Sequence, residues 1–256
     1  MLHRIDLCSA DGRVVPALYQ DAGPRAALLV HGITSQKEED GGFYLALAER
    51  FAEMGLSVLS IDLPGHGDSP LAFEDTAPSL MVEDMAVALA FLRARHTPTL
   101  VVCASFGASV YLLARAAGLP LPDAAVLLNP VTDYRTNFVC ADLPWGRSFA
   151  PQLAHPGFWA LTDHAVPDGP LRLGRRMLSE LALLSPQAVR LPDSLRLLVL
   201  HGTADEVISL ASARAFVNSR APRSTEFDEV PGAGHGFHGF HSQVQARICE
   251  FVQNLR

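Results

Sequence analysis

The chain has 256 residues, 49% of them hydrophobic and 18% charged, with a formal net charge of −7. This composition excludes a disordered chain and gives no basic footprint for nucleic acid, while the length suits one large α/β domain with ample buried core. No stretch approaches the roughly 18 apolar residues of a membrane span, and the opening Met1-Leu2-His3-Arg4-Ile5-Asp6 lacks the apolar centre of a secretory signal. Cys8, Cys103, Cys140 and Cys249 lie far apart with no metal-type pair, which predicts a reducing, cytoplasmic setting.

Leu2–Leu7 and Arg13–Tyr19 alternate as strands around the turn signal Ser9-Ala10-Asp11-Gly12. Ala26–Val30 is a continuous apolar run, as expected of a strand buried on both faces, and it ends in His31-Gly32-Ile33 and a polar loop through Asp40. Phe43, Leu47, Phe51 and Met54 then recur at helical spacing up to Gly55. Leu56–Ile61 is the next strand, Asp62–Ser69 a glycine-rich loop, and Pro78–Arg95 a helix. Strand Thr99–Cys103, helix Phe106–Ala117 and strand Ala124–Leu128 follow.

The rhythm breaks between Val131 and Arg190, where prolines and glycines are frequent and both tryptophans fall. It resumes with strand Leu195–Leu200, helix Leu210–Ser219, strand Thr225–Val230 and helix Gln243–Leu255. Strands alternating with helices predict a mostly parallel sheet covered on both faces. Residues 1–130 and 191–256 are expected to form this core, with 131–190 inserted as a cap.

Sites in open α/β sheets lie beyond the carboxyl ends of the strands. Ser105 occupies such an end, on a sharp strand-to-helix turn that requires small residues two before and two after the serine. Cys103, in place of the usual glycine, and Gly107 meet that requirement. The plainer alternative for Ser105 is a helix N-cap. A serine nucleophile needs a base, and the base needs an orienting carboxylate. Asp205 follows the strand Leu195–Leu200, and His235 sits in the glycine-rich loop after Thr225–Val230. Glu206, Asp133 and Asp228 compete for the acid position. His238 and His241 compete for the base but read as the start of the last helix. The spacing of the three histidines lacks the supporting ligands of a metal site, so no metal is expected. His31 and His66 read as structural members of glycine loops.

The order Ser105, Asp205, His235 is that of an α/β-hydrolase. His31-Gly32-Ile33, Asp62-Leu63-Pro64-Gly65-His66-Gly67-Asp68-Ser69, Ala104-Ser105-Phe106-Gly107, His201-Gly202-Thr203-Ala204-Asp205 and Gly234-His235-Gly236 together resemble the serine hydrolases of the α/β-hydrolase superfamily over nearly the whole chain. The closest likeness is to the capped carboxylesterases of the cinnamoyl/feruloyl esterase and serine aminopeptidase-like group. The resemblance implies a sheet of about eight mostly parallel strands with helices on both faces and an inserted cap. It also implies an oxyanion hole made by the backbone N–H groups of Ile33 and Phe106, and ester hydrolysis without a cofactor.

The cap aromatics Phe138, Trp145, Phe149, Phe158 and Trp159 are candidates to line the substrate cleft, or simply to fill the cap's own core. Their apolar character predicts a hydrophobic or aromatic small-molecule ester. A thioesterase or acyltransferase would use the same triad, and Arg172, Arg175 and Arg176 offer a basic face for a carrier-linked acyl group. A low-turnover binding protein or receptor on the same fold is the alternative from another class. A peptidase, served by Asp133, Asp142, Asp163 or Asp168, is a further one. No nucleic-acid or membrane partner is expected, and the oligomeric state stays open, a homodimer included.

Overall fold

The computed structural model describes residues 2–139, 144–153, 163–165, 172–219 and 221–255. An eight-stranded sheet forms its centre. The first two strands, β1 (His3–Cys8) and β2 (Val14–Gln20), make an antiparallel hairpin, and β2 also runs antiparallel to β4 (Leu56–Ile61). The remaining pairs are parallel, through β3 (Arg25–Val30), β5 (Thr97–Ala104), β6 (Ala124–Leu128), β9 (Arg196–Gly202) and β10 (Glu226–Val230). The spatial order is β1-β2-β4-β3-β5-β6-β9-β10. After β4 the chain returns across β3 to lay down β5, so the order reverses at the β3/β5 boundary. Such a switch point opens a crevice at the strands' carboxyl ends.

The central strands are near-continuous apolar runs because both of their faces are covered. Along β3, Ala26, Leu28 and Val30 point to one face and Ala27 and Leu29 to the other, and all five are fully buried. The first face packs on α2 (Pro78–Arg93) and α3 (Phe106–Ala116) through Met81, Met85, Leu89, Val110 and Tyr111. The second packs on α1 (Phe43–Glu53) and α7 (His241–Gln253) through Leu47, Phe51, Ile248 and Phe251. Each such fully buried side chain is worth about 1.5–3 kcal/mol relative to exposure.

Between β6 and β9 lie α4 (Pro144–Leu153), a two-stranded antiparallel pair β7 (Asp163–Ala165) and β8 (Arg172–Gly174), and α5 (Arg175–Leu183). The helix α6 (Leu210–Ser219) joins β9 to β10. The last helix begins at His241, two residues before the predicted start, and His238 stays in the preceding loop. Among the described residues no helix is long and apolar enough to cross a membrane.

Candidate active site

Ser105 joins β5 to α3 with φ 48° and ψ −115°, a left-handed backbone that a side chain adopts only under constraint. The constraint is visible on both sides of it. Its N–H donates to Leu128 O on the neighbouring strand at 2.8 Å, and its carbonyl accepts the N–H of Val131 at 2.9 Å. Two residues on, a Cβ at Gly107 would lie 2.6 Å from His31 O and 2.7 Å from Val30 O, so only glycine lets α3 start this close to β3. Cys103, two residues before, is fully buried in the core. The Ser105 hydroxyl does not cap the helix it precedes. It meets His235 Nε2 at 2.9 Å instead.

The other ring nitrogen of His235, Nδ1, lies 2.8 Å from Asp205 Oδ2. The Asp205 side chain is fully buried, and its Oδ1 accepts the N–H groups of Val207 at 2.8 Å and Ile208 at 2.9 Å. Burial opposes its ionisation, but the hydrogen bond and charge of His235, with those two N–H groups, hold its carboxyl below the usual carboxylate range. The carboxylate therefore fixes the His235 tautomer with Nδ1–H towards Asp205 and leaves Nε2 to accept from Ser105. A second imidazole, His201, stands 3.5 Å from Asp205 Oδ2; burial pushes its proton affinity down, so it stays neutral. Glu206 is exposed, Asp228 is engaged by Arg247 at 2.6 Å and Asp133 by the Thr136 hydroxyl at 2.6 Å; Asp205 is the carboxylate that meets His235.

Gly32 brings the chain after β3 against Ser105: a Cβ on it would lie 2.9 Å from Ser105 Cβ. Both of its flanking peptides are held. Its N–H donates to Glu39 Oε2 at 3.1 Å, and its carbonyl lies 2.7 Å from His31 Nδ1. Because His31 Nε2 accepts the Leu63 N–H at 2.9 Å, the ring's proton sits on Nδ1 and donates to Gly32 O. His31 thus ties the Gly32 loop to the Asp62 loop. Asp62 is itself held by the N–H groups of Lys37 and Asp68, both at 2.8 Å, and by the Lys37 ammonium at 2.7 Å. Phe106 opens α3, where helix N–H groups have no intrahelical partner and the dipole favours negative charge. Among the described residues, no protein acceptor takes the N–H of Ile33 or Phe106.

Thr34, Glu39, Ser105, Asn129 and Phe237 are the described non-glycine residues with positive φ, and all five line one cavity of about 920 Å³. Backbone strain costs about 1–3 kcal/mol per residue and persists only where the surroundings over-determine it. Its concentration around Ser105 and His235 marks this crevice as the place the fold is built to hold.

The alpha/beta hydrolase family matches residues 27–248. The chain belongs to that family. No curated protein matches its sequence. Solved structures of the same fold include Est1E from Butyrivibrio proteoclasticus with ferulic acid bound, which has a TM-score of 0.82 at 20% identity and 98% coverage of each chain. The alpha/beta hydrolase GrgF from Penicillium sp. sh18 has a TM-score of 0.78 at 15% identity, covering 100% of this chain and 99% of its own. The Pyrococcus furiosus esterase Pf2001 has a TM-score of 0.69 at 14% identity, covering 100% of this chain and 93% of its own.

Within this alpha/beta hydrolase, the other predicted positions fall as follows. Phe138 and Trp145 are buried together, ring centroids 5.3 Å apart, and the Phe138 ring stands edge-on to Phe106 at 5.8 Å. Neither is among the described residues lining the cavity; they back the helix that carries Phe106. The Phe149 side chain, Phe158 and Trp159 lie outside the described residues. Arg176 at the start of α5 is engaged by Glu180 at 3.1 Å and the Ser79 hydroxyl at 3.0 Å, which ties α5 to α2. His238 pairs with Asp40 at 2.8 Å, and His241 Nε2–H donates to Gly236 O at 2.9 Å. Among the described residues no group of histidine, cysteine and carboxylate side chains is arranged to hold a metal.

Two residues to which the sequence assigned no role line the same cavity. Asn129 accepts the Gly202 N–H at 2.8 Å through Oδ1, and its Nδ2 donates to the carbonyl of His235. It thereby links the end of β9, which leads to Asp205, with the loop of His235. Glu39 is the second, through its bond to Gly32.

Proposed function

We propose that this protein is a serine hydrolase that cleaves a carboxylic ester of a small hydrophobic or aromatic molecule through an acyl-enzyme on Ser105. One observation carries the proposal: the unbroken hydrogen-bonded relay from Asp205 through His235 to Ser105, with spacings of 2.8 and 2.9 Å, ending at the wall of the cavity. Ser105 Oγ attacks the ester carbonyl as His235 Nε2 takes its proton, and Asp205 steadies the imidazolium that forms. The carbonyl oxygen, now negative, is received by the N–H groups of Ile33 and Phe106; each such donor is worth roughly 3 kcal/mol in the transition state. His235 returns the proton to the leaving alcohol, the acyl group stays on Ser105, and a water activated by His235 then releases the acid.

The described cavity wall mixes apolar Ile33, Phe43 and Phe237 with polar Thr34, Gln36 and His238, which suits an ester carrying one apolar group and one or more hydrogen-bonding groups. The 131–190 cap is proposed to set the choice of acyl or alcohol group. Thioester cleavage or acyl transfer draws no support from Arg176, which is already engaged. A reducing cytoplasm suits the free thiols of Cys8, Cys103 and Cys249, and that location is proposed with the activity.

The test is hydrolysis of p-nitrophenyl esters of graded acyl length and of one aromatic ester by the wild type and Ser105→Ala. Turnover by the wild type, with a fall of about 10⁵–10⁶ in kcat for the variant, is the expected result. Undiminished turnover by Ser105→Ala would reject the mechanism. Absence of turnover by both would favour the binding-protein alternative.

A further inference from the structure

Glu39 differs from the other acidic residues near the site in where its carboxylate points. The residue ends the loop after β3 with a left-handed backbone, φ 55°, and turns its side chain back to the loop's own beginning. There Oε2 accepts the Gly32 N–H at 3.1 Å and Oε1 accepts the Ser35 hydroxyl at 3.0 Å. It lines the cavity together with Ser105 and His235.

The consequence follows from peptide geometry. Gly32 has no side chain to restrict its φ and ψ, and the peptide plane on its carboxyl side carries the Ile33 N–H. His31 Nδ1–H holds that plane through Gly32 O at 2.7 Å. Glu39 holds the plane on the amino side through the Gly32 N–H. With both planes held, neither dihedral of Gly32 is free to turn. With Glu39 removed, the amino-side plane loses its hydrogen bond and Gly32 is held on its carboxyl side alone, by His31 and by the Ser35 N–H at 3.3 Å.

We propose that Glu39 is a positioning residue of the oxyanion hole: by holding the Gly32 N–H, its carboxylate keeps the Ile33 N–H directed at the carbonyl oxygen that Ser105 attacks. The inference rests on the mechanism proposed above, since Glu39 acts through Ile33 and not on the substrate. Burial pushes its carboxyl above the ordinary value, against the bonds from Gly32, Asp40 and Ser35 and the charge of His235. The group is therefore retained at an energetic penalty, as expected where geometry is the return.

The test compares wild type, Glu39→Ala, Glu39→Gln and Ser105→Ala in two measurements. One is steady-state hydrolysis of the best p-nitrophenyl ester. The other is inhibition by a trifluoromethyl ketone, which adds to the serine as an oxyanion-bearing hemiketal. For Glu39→Ala, kcat should fall about 10- to 100-fold with KM within about twofold, and ketone affinity should weaken by a matching factor. Glutamine offers a carbonyl to Gly32 and an amide to Ser35, so Glu39→Gln should recover kcat to within about threefold of wild type. Should the alanine variant not fold, Glu39→Asp, whose carboxylate stops one methylene short of Gly32, carries the same expectation.

Loss expressed in KM alone would make Glu39 a substrate contact and overturn the proposal. So would a glutamine variant no better than alanine, or ketone affinity unchanged while kcat falls. Ser105→Ala separates the two levels: if it is inactive while Glu39→Ala is unimpaired, only the role of Glu39 fails. If Ser105→Ala stays active, the mechanism fails and this role with it.

Discussion

Gly32 and Ser105 are packed so closely that a Cβ on the glycine would stand 2.9 Å from the serine Cβ and 3.5 Å from its Oγ. The loop after β3 is thereby pressed against Ser105, and in the proposed mechanism the Ile33 N–H that follows receives the oxyanion. Gly32 itself lies outside the left-handed region, so alanine is allowed by its backbone and excluded only by the contact. Gly32→Ala should lower stability by about 1–3 kcal/mol as the two Cβ atoms are forced apart, and kcat should fall about 10²- to 10³-fold, the range of a lost oxyanion donor. A circular-dichroism melt beside ester kinetics separates the two effects.

Asn129 joins the Asp205 loop to the His235 loop, through Gly202 N–H on one side and the His235 carbonyl on the other. Asn129→Ala leaves the buried Gly202 N–H without its acceptor, which costs about 1–3 kcal/mol of stability. Because the base loop loses its anchor, kcat should fall by roughly tenfold as well. Urea midpoints and kcat, measured on the same preparation, check both. A stable variant with full activity would remove Asn129 from the site.

The relation between Asn129 and the triad also shows where sequence reasoning stops. The meeting of the Ser105, Asp205 and His235 side chains was legible because each follows an apolar strand and their order along the chain is informative. The strands Leu56–Ile61 and Ala124–Leu128 were legible to the residue, as buried runs bounded by glycine, proline and polar turns. Asn129-Pro130 marks a strand-end loop in the sequence, but a lone asparagine there carries no signal of which loops it joins. Lys37-Glu38-Glu39-Asp40 reads as the end of a polar loop, yet Lys37 turns inward to Asp62 and Glu39 to Gly32. The partner that makes burial of Lys37 tolerable lies 25 residues away in the chain, so no local pattern announces it. In the 131–190 segment, α4, β7, β8 and α5 are short and separated by proline and glycine, and no periodicity runs long enough to reveal them.

Lys37 and Asp62 are both nearly or fully removed from water and meet at 2.7 Å. Deleting one partner of a buried pair strands the other charge. Lys37→Met should therefore destabilise the fold by about 3–5 kcal/mol. The guanidinium midpoint reads this directly. The double variant Lys37→Met, Asp62→Asn should recover only part of the loss: the stranded charge at Asp62 is gone, but the amide NH2 cannot accept the backbone N–H that one carboxylate oxygen holds.

Asp84 lies 2.8 Å from Arg13, yet burial pushes its carboxyl from 3.8 up to about 6. The folded state thus binds its proton more tightly than the unfolded chain does. The contribution of this group to stability is full below about pH 4 and is lost as pH rises to about 6. Asp84→Asn should remove that slope, so the variant gains roughly 2–3 kcal/mol relative to wild type across the window and runs parallel to it above. Denaturation midpoints taken from pH 4 to pH 7 test the sign as well as the size.

Acylation of Ser105 is the event on which the proposed chemistry turns, and intact-protein mass spectrometry of a rapidly quenched reaction with an activated ester measures it directly. Wild type should gain the mass of one acyl group, localised by peptide mapping to the segment carrying Ser105, and lose it as water turns the adduct over. Asp205→Asn should acylate about 10⁴-fold more slowly, and Ser105→Ala should gain no mass at all. An equal adduct on Ser105→Ala, or steady turnover by wild type with the adduct mapped to another residue, would contradict the account.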